Sequence, residues 1–302
     1  NPIADLKLIF KYRKLFSDLK PDIILSYTIK PNIYGNVAAQ LLGIPTINNI
    51  SGLGTMFIKG SISSMFAKLL YKFSLQKSKW VFFQNKYDLT FFLESNIVKK
   101  TQSSIINGSG VNTSIFKTNR KINQGKKFLF PARLIKDKGI YEFLKAAKLV
   151  AKEYSDVEFL LAGELGYNNT SFNQKELNKW IDKNIKYLGN SNSMKNIYKD
   201  VDVVVLPSYR EGLSKTLIEA AAMSLPIITT NVPGCKDVVI DNFNGLLVKD
   251  KSVNDLKDKM IKMINFPNEK RLEFGKNGRK LAIQKFDSKI IIKEYINKIS
   301  NF

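Results

Sequence analysis

The stretch that best indicates the fold is Leu206–Ala222, with the sequence LPSYREGLSKTLIEAAA. It begins at the end of an apolar run, turns through a loop that contains Gly212, and enters a helical pattern that Ser214 can cap. A strand, a glycine-containing loop and a capped helix in this order are typical of one βα unit. The first backbone amides of such a helix face outward, so the pattern also predicts a site for an anion.

The same alternation extends over the second half of the chain. The predicted strands lie near 128–131, 158–162, 186–188, 203–206, 227–230 and 245–248. The predicted helices lie near 140–154, 174–183, 193–199, 215–223, 235–240 and 252–264. Six strands joined by five crossovers predict a doubly wound α/β domain with a parallel sheet. Two further helices, near 268–284 and 288–299, end the chain.

The first half predicts part of another α/β sheet. Its strands are expected near 22–27, 46–50, 80–84 and 104–107, and its helices near 4–19, 33–42, 62–77 and 86–95. A polar stretch over 108–127 is the predicted linker. We therefore expect a first domain over 1–121, a second over 122–286 and a terminal helix, 287–302, that packs back on the first. Because the chain opens on a helix, we expect the first domain to be incomplete.

The composition excludes several classes of site. Among 302 residues there is no His and a single Cys, Cys235. A Ser-His-Asp triad, a Cys-His pair, a His-based zinc site and an internal disulfide are therefore impossible. No apolar run is long enough for a membrane span or resembles a signal peptide, so we predict a cytoplasmic protein.

The charge balance is strongly basic. The chain has 48 Lys and Arg against 26 Asp and Glu, a formal net charge of +22, and residues 1–121 alone carry 17 basic and 5 acidic side chains. A lysine-coated surface, a nucleic-acid partner and an anionic ligand or membrane would each account for this excess. The segment 61–77 has helical periodicity with an apolar and a basic side, typical of an interfacial helix but also of an ordinary domain helix.

Three polar clusters follow predicted strands. Glu211 and Glu219 are eight residues apart, about 12 Å along a helix, which suits two contacts on one elongated ligand rather than a paired acid and base. Arg133 and Lys138 follow the first strand of the second domain and can grip phosphates, although a basic loop can equally be solvated. The third cluster is Ala162-Gly163-Glu164. Because parallel strands end at one edge of a sheet, we expect the three clusters to meet there.

Two alternatives remain open for the acidic residues. Glu211 and Glu219 can be ligand contacts, or simply a loop acid and an exposed helix carboxylate. Asp200-Val201-Asp202 superficially matches an Asp-x-Asp metal motif, but it lies where a helix passes into a buried strand. We therefore predict a structural role for this tripeptide and no catalytic metal.

Together these residues resemble the family-4 retaining glycosyltransferases of GT-B fold. In the second domain the similar motifs are Arg133 with Lys138-Gly139, Ala162-Gly163-Glu164, Leu206-Pro207-Ser208, Glu211 to Glu219, Val232-Pro233-Gly234-Cys235 and Asn244-Gly245-Leu246-Leu247-Val248. In the first they are Lys30-Pro31-Asn32-Ile33-Tyr34-Gly35, Ser51-Gly52-Leu53-Gly54 and Asn107-Gly108-Ser109-Gly110-Val111. Within the family the chain is most similar to bacterial enzymes that extend polyprenyl-diphosphate-linked glycans, including N-acetylgalactosaminyl and uronosyl transferases.

The resemblance implies an α/β architecture of two Rossmann-like domains facing a cleft. It also implies a retaining, metal-independent hexosyltransferase that needs no cofactor. Its donor would be a nucleotide-sugar, with UDP as the expected nucleotide and an N-acetylhexosamine or uronic acid as the expected sugar. Its acceptor would be a lipid-linked glycan in surface polysaccharide or glycoprotein assembly, which favours a peripheral position on an anionic membrane surface. No nucleic-acid partner is implied.

The resemblance also implies a role for each matching residue. Arg133 and Lys138 would neutralise the departing diphosphate. Glu211 would hold the donor sugar and support the transition state, while Glu219 would hold the ribose. Further donor contacts are implied for Gly163, Glu164, Asn190, Ser208, Leu213, Ser214, Lys215 and Thr216, with base contacts from backbone near Gly189 and Asn190. The acceptor side is implied at Thr28, Lys30, Gly52 and Gly54.

One departure from the family pattern keeps a second hypothesis open. Many relatives carry a His near the donor sugar, and this chain has none. Either the role is dispensable, or a residue such as Thr28 or Lys30 fills it, or the chain is an inactive GT-B relative that acts as a binding or scaffold protein.

Overall fold

A computed structural model describes residues 2–53, 62–118, 124–166, 171–191 and 193–301. The chain divides into two units: Asn1–Gly108 together with Ile291–Phe302, and Ser109–Ile290. The division after Gly108 falls within the polar stretch that the sequence marks as a linker. The last helix of the chain crosses from the second unit into the first.

The first unit is built on a parallel four-stranded sheet of order β1-β2-β3-β4. Its elements are α1 (Pro2–Leu19), β1 (Ile24–Tyr27), a π-helical turn (Pro31–Gly35), α2 (Asn36–Leu41), β2 (Thr46–Ile50), α3 (Ile62–Leu75), β3 (Trp80–Phe83), α4 (Lys86–Glu94), a 3₁₀ turn (Lys100–Gln102) and β4 (Ser103–Ile105). The predicted helix 33–42 is therefore two elements, since the π-helical turn precedes α2. The predicted incompleteness of this domain remains a prediction.

The second unit contains a parallel six-stranded sheet of order β10-β9-β8-β5-β6-β7. Its strands are β5 (Lys127–Pro131), β6 (Glu158–Ala162), β7 (Ile185–Tyr187), β8 (Val203–Leu206), β9 (Ile227–Thr230) and β10 (Gly245–Val248). Its helices are α5 (Ile140–Glu153), α6 (Gln174–Asn178), α7 (Met194–Lys199), α8 (Lys215–Ala222), α9 (Val253–Asn265) and α10 (Asn268–Lys285), followed by α11 (Ser288–Ile299).

The strand order places the reversal of winding between β5 and β8, which are neighbours in the sheet. Open α/β sheets bind ligands outside the carboxyl ends of the strands at such a reversal, because the loops there diverge and leave a crevice. Both β8 and β9 are buried along their whole length, as expected for central strands covered on both faces. We therefore expect the ligand site at the loops that follow β5 and β8.

Helix α11 packs its apolar residues into the first unit. Ile291 and Tyr295 are buried in one cluster with Ile47 and Phe82. The Tyr295 hydroxyl also accepts a hydrogen bond of 2.6 Å from the side-chain amide of Asn49. The end of the chain is thereby held against the first sheet by both apolar and polar contacts.

Two predicted helices of the second unit differ from the structure. The helix expected at 235–240 is wrong, since residues 233–238 form turns. The buried Asn244 side chain accepts a hydrogen bond from the Ile240 amide and donates one to the Val238 carbonyl. These two backbone groups are therefore not available for the hydrogen bonds of a helix. The helix expected at 174–183 ends at Asn178, because the Asp182 carboxylate accepts from the amides of Asn184 and Ile185 and forms a turn instead.

Within the described residues, no helix has the length and apolar character needed to cross a bilayer. The same part of the chain holds no group of three or more Cys, Asp or Glu side chains placed to bind a metal ion. Asp202 has the structural role predicted for it, since its carboxylate accepts from the backbone amides of Lys126 and Lys127 at the start of β5.

Candidate functional site

The loops after β5, β8 and β9 are held together by close backbone contacts. Gly139 has a φ of +76°, and a Cβ there would lie 2.1 Å from the carbonyl oxygen of Pro207. Gly234 has a φ of +80°, and its Cβ would lie 2.4 Å from the carbonyl oxygen of Glu211. Only glycine fits both the conformation and the space at these positions. The two glycines therefore allow the three loops to meet at the reversal of winding.

Glu211 lies at the centre of this junction. Its Oε1 accepts a hydrogen bond of 2.7 Å from the Ser208 hydroxyl and lies 2.5 Å from Nζ of Lys138. The Glu211 side chain is only 12% exposed and that of Lys138 21%. A charge-assisted pair in such a partly desolvated place is stronger than one on the surface. The carboxylate and the ammonium therefore form a fixed ion pair where the three loops meet.

Ser208 is fully buried, and its hydroxyl donates to Glu211. Its carbonyl oxygen accepts a hydrogen bond from the Thr230 hydroxyl, and the neighbouring Thr229 donates to Leu206 at 2.7 Å. The two threonines of β9 thus support the end of β8. Because the Ser208 hydroxyl donates to Glu211, this residue orients the carboxylate.

Cys235 is fully buried beneath the same junction. Burial raises the pKa of its thiol to about 12, and the negative charge of Glu211 adds to the increase. The thiol is therefore neutral at physiological pH and is not a nucleophile. From the sequence, Cys235 was identified as the single cysteine and as part of a motif, but its place beside Glu211 was not predicted.

The Cys235 thiol should be inert in the native protein. At pH 8 we expect dithionitrobenzoate to release no thionitrobenzoate from the folded chain, because the thiolate is both scarce and inaccessible. The unfolded chain in guanidinium should release one equivalent, measured by absorbance. Stoichiometric reaction of the native protein at the rate of a free thiol would show that the Cys235 thiol is accessible, and would contradict the prediction.

Helix α8 begins where the β8 loop ends. Ser214 caps it, with its side chain accepting from the amide of Leu217, and the Thr216 hydroxyl lies 3.3 Å from the carbonyl oxygen of Pro131. The first turn of α8 therefore faces the end of β5, which places its positive terminus beside the loop that carries Arg133 and Lys138. Lys215 is exposed at this end of the helix.

Glu219 projects from the next turn of α8, and its side chain is 12% exposed. The alternative of an exposed helix carboxylate is therefore wrong. The hydroxyl of the buried Tyr198 lies 3.4 Å from Oε2 of Glu219, and Nζ of Lys215 lies 4.0 Å from Oε1. Burial raises the pKa of Glu219, an effect that the Lys215 charge and the Tyr198 hydrogen bond oppose. Tyr198 was not found from the sequence because its only signal is apolar periodicity.

The loops after β5, β6 and β7 are also joined. The amide of Leu134 donates to the carbonyl of Glu164 at 3.0 Å, and the amide of Gly163 donates to the carbonyl of Gly189 at 3.0 Å. These bonds bring the Arg133 and Glu164 loops to one edge of the sheet, as the sequence predicted. Asn190 is exposed next to this edge, whereas Leu213 is buried.

The first unit contains a separate cavity of 220 Å³ at the carboxyl ends of β1 and β2. Thr28 and Gly52 line it, together with Asn32, Ile50 and Tyr71. Lys30 is exposed and is not part of this lining, and Gly54 lies outside the described residues. The φ of Thr28 is +65°, a strained conformation for a β-branched residue, and such strain occurs most often at functional sites.

Two of the cavity residues, Asn32 and Tyr71, were not named as site residues from the sequence, although Asn32 belongs to one of the motifs quoted above. Both are buried, and the Asn32 side chain donates to the carbonyl of Asn49 at 2.8 Å and accepts from the Asn48 amide at 3.2 Å. These bonds fix the orientation of Asn32 at the cavity. An asparagine in a strand-following turn gives no distinguishing local signal, which explains the omission.

Comparison with known proteins adds independent findings. The family model "Glycosyl transferases group 1" matches residues 111–281, and "Glycosyl transferase 4-like" matches residues 1–85. The chain is 27% identical to the capsular polysaccharide biosynthesis glycosyltransferase CapM of Staphylococcus aureus, over 99% of this chain and 82% of that protein. It is also 27% identical to the N,N'-diacetylbacillosaminyl-diphospho-undecaprenol alpha-1,3-N-acetylgalactosaminyltransferase of Campylobacter jejuni, over 98% of this chain and 81% of that protein.

A solved structure supports the same comparison at the level of the fold. The crystal structure of Anabaena HepE in complex with UDP-glucose superposes with a TM-score of 0.83 at 18% identity. The match covers 97% of this chain and 82% of the HepE chain.

Proposed function

Since the chain belongs to the group 1 glycosyltransferases and has the GT-B fold, we propose that it transfers a sugar from a UDP-sugar to a lipid-linked glycan with retention of configuration. The observation that carries the proposal is the Glu211 carboxylate, hydrogen-bonded to Lys138 and Ser208 at the reversal of winding. A positively charged side chain, a carboxylate and a hydroxyl thus meet at one point, the types of group that binding of a sugar phosphate requires.

Two relatives support the choice of acceptor. The C. jejuni relative is named for transfer to a diphospho-undecaprenol-linked sugar. A 27% identical Escherichia coli protein is named UDP-Gal:alpha-D-GlcNAc-diphosphoundecaprenol alpha-1,3-galactosyltransferase. For this chain we propose the same acceptor class, with an N-acetylhexosamine or uronic acid as the transferred sugar.

The donor diphosphate would lie between the β5 loop and the first turn of α8. Arg133 can form paired hydrogen bonds with phosphate oxygens, and Lys138 supplies a point charge. The amides of Lys215 and Thr216 add the positive end of the helix. These groups would stabilise the charge that develops as the bond between the sugar and the diphosphate breaks.

Glu211 would bind hydroxyls of the donor sugar, because its carboxylate is fixed by Ser208 and Lys138 and can accept further hydrogen bonds. Its negative charge would also stabilise the oxocarbenium-like transition state. The acceptor hydroxyl would attack on the same face from which UDP leaves. In that geometry the departing phosphate oxygen takes the proton of the hydroxyl, so that no protein nucleophile is needed.

The nucleoside would extend along α8 toward Glu219. A carboxylate with two oxygens suits the paired hydroxyls of a ribose, and its partial burial strengthens those hydrogen bonds. Backbone near Gly189 and Asn190 would contact the base. We assign the acceptor glycan to the cavity of the first unit. For the role of the missing His we propose Thr28, which lines this cavity, rather than Lys30, which is not in its lining.

Ligand binding and transfer test the proposal directly. A UDP-sugar that binds the folded chain should raise its thermal midpoint, with about 2.7 kcal/mol of added stability at roughly 100 times the dissociation constant. The same UDP-sugar should label an undecaprenyl-diphosphate-linked sugar, detected by mass spectrometry with the anomeric configuration read by NMR. The corresponding GDP-sugars serve as the control. Equal stabilisation by GDP-sugars, or an inverted product, would contradict the assignment.

A further inference from the structure

Helix α3 presents an apolar face to solvent. Tyr71 and Leu75 on one side of the helix are buried in the core. On the other side, four large side chains are 59–66% exposed: Met65, Phe66, Leu69 and Phe73. We call these four residues the outer face of α3. One side of the helix therefore packs in the domain, as in an ordinary domain helix, and an apolar stripe remains outside.

The outer face is continuous rather than scattered. At 3.6 residues per turn, positions 65, 66, 69 and 73 fall within an arc of about 100°. Isolated exposed apolar residues are normal on a protein surface, but a contiguous group that includes two phenylalanines marks an interaction site. Lys68 and Lys72 border the stripe, and Lys77 follows the helix. The chemistry of the surface is thus an apolar stripe with a basic margin.

The sequence on either side of α3 carries charge of one sign. From Ile23 to Tyr87 the sequence has seven lysines and no Asp or Glu. The first unit as a whole carries 16 basic and 6 acidic residues. A partner that matches both the apolar stripe and the basic charge must have an apolar interior beneath a negatively charged surface. An anionic bilayer has both properties.

The position of α3 relates this face to the acceptor cavity. Tyr71, on the inner side of the helix, lines the cavity together with Thr28 and Gly52. An α-helix is about 10–12 Å across with its side chains, so the cavity and the outer face are separated by little more than one helix. A glycan in the cavity could therefore keep its lipid in a bilayer that touches the outer face.

We propose that the outer face of α3 inserts into the interfacial region of an anionic membrane, with Lys72 and Lys77 binding lipid phosphates, and thereby holds the cavity beside the lipid-linked acceptor. The role of the cavity in this inference rests on the proposed function, but membrane binding itself does not. The helix would lie in the plane of the interface rather than cross the bilayer.

Vesicle flotation of the full chain tests the inference without any sugar substrate. Vesicles of phosphatidylcholine with about 30% phosphatidylglycerol should carry the protein upward, and neutral phosphatidylcholine vesicles should carry much less. The double variant Phe66→Ser/Phe73→Ser should weaken binding by about tenfold or more, because two apolar side chains are lost from the inserted face. Lys72→Gln/Lys77→Gln should weaken binding at low salt, with little further effect near 1 M salt, where charges are screened.

A matched control comes from another helix of the same unit. Ile292 and Ile296 of α11 are also exposed, so Ile292→Ser/Ile296→Ser should leave flotation unchanged. Equal flotation of the parent chain and the Phe66→Ser/Phe73→Ser variant would overturn the inference. A change of the variant from dimer to monomer by light scattering, with unchanged flotation, would assign the face to a second copy of the chain and overturn it equally.

The two proposals fail in different ways. If vesicles bind as expected but no UDP-sugar is transferred, the catalytic proposal is wrong and the membrane surface stands. If the chain transfers sugar to a water-soluble short-chain acceptor but does not float, the surface is wrong and the catalytic proposal stands. The Phe66→Ser/Phe73→Ser variant should retain transfer to the short-chain acceptor, since neither side chain belongs to the donor site or the cavity lining.

Discussion

Replacement of Glu211 by Gln should lower kcat by a factor on the order of 100 to 1,000, the usual effect of removing one electrostatic contact to the transition state. Gln keeps the shape of the side chain and can still accept a bond from Ser208, but it carries no charge. The change should therefore act on the reaction rather than on the fold. Steady-state transfer of a UDP-sugar, with circular dichroism and thermal melting as structural checks, measures both.

Binding of UDP alone, which lacks the sugar that Glu211 would contact, should respond in the opposite direction. Removing a carboxylate lowers the repulsion on the diphosphate and releases Lys138 from its ion pair, so the dissociation constant for UDP should stay equal or fall. Glu153→Gln serves as a matched control, because that carboxylate lies at the end of α5 and its side chain is 53% exposed. Turnover of Glu211→Gln within twofold of the parent would refute a role for the carboxylate in the chemical step.

Much of the architecture could be predicted from the sequence because its signals are local. Strands β6, β8, β9 and β10 have the bounds predicted from the sequence, because buried parallel strands form short and mostly apolar runs. The gathering of Arg133, Glu164 and Glu211 at one edge also follows, because parallel strands all end on the same side of the sheet. The helix predicted at 235–240 is wrong because the buried Asn244 side chain forms hydrogen bonds with backbone groups there.

The details of the site could not be predicted, because they depend on contacts between distant residues. Lys138 and Glu211 are 73 positions apart, and their distance depends on how closely Gly139 approaches Pro207. Thr230, which supports Ser208, resembles any β-branched strand residue in sequence. The exposed stripe of α3 was ambiguous for a related reason, since helical periodicity identifies an apolar side but does not say how much of it the domain covers.

The separate roles proposed for Lys138 and Glu211 are linked by their ion pair. In the structure the Glu211 carboxylate holds the Lys138 ammonium. In the proposed reaction, the bound diphosphate would place a second negative group beside this ammonium. Lys138 would then neutralise the leaving group, while Glu211 would keep the ammonium in position. The two residues are therefore expected to act as one unit, with effects that do not add.

A double-mutant cycle tests this coupling. Lys138→Gln alone should lower kcat/KM by about 100-fold, because the departing diphosphate loses a positive partner in a partly desolvated site. Combined with Glu211→Gln, the loss should be smaller than the product of the two single losses by about tenfold or more, as for residues in one ion pair. Lys138→Arg should recover part of the activity by restoring the charge. Exact multiplication of the single effects would mean that the 2.5 Å contact between Nζ and Oε1 has no function in the reaction.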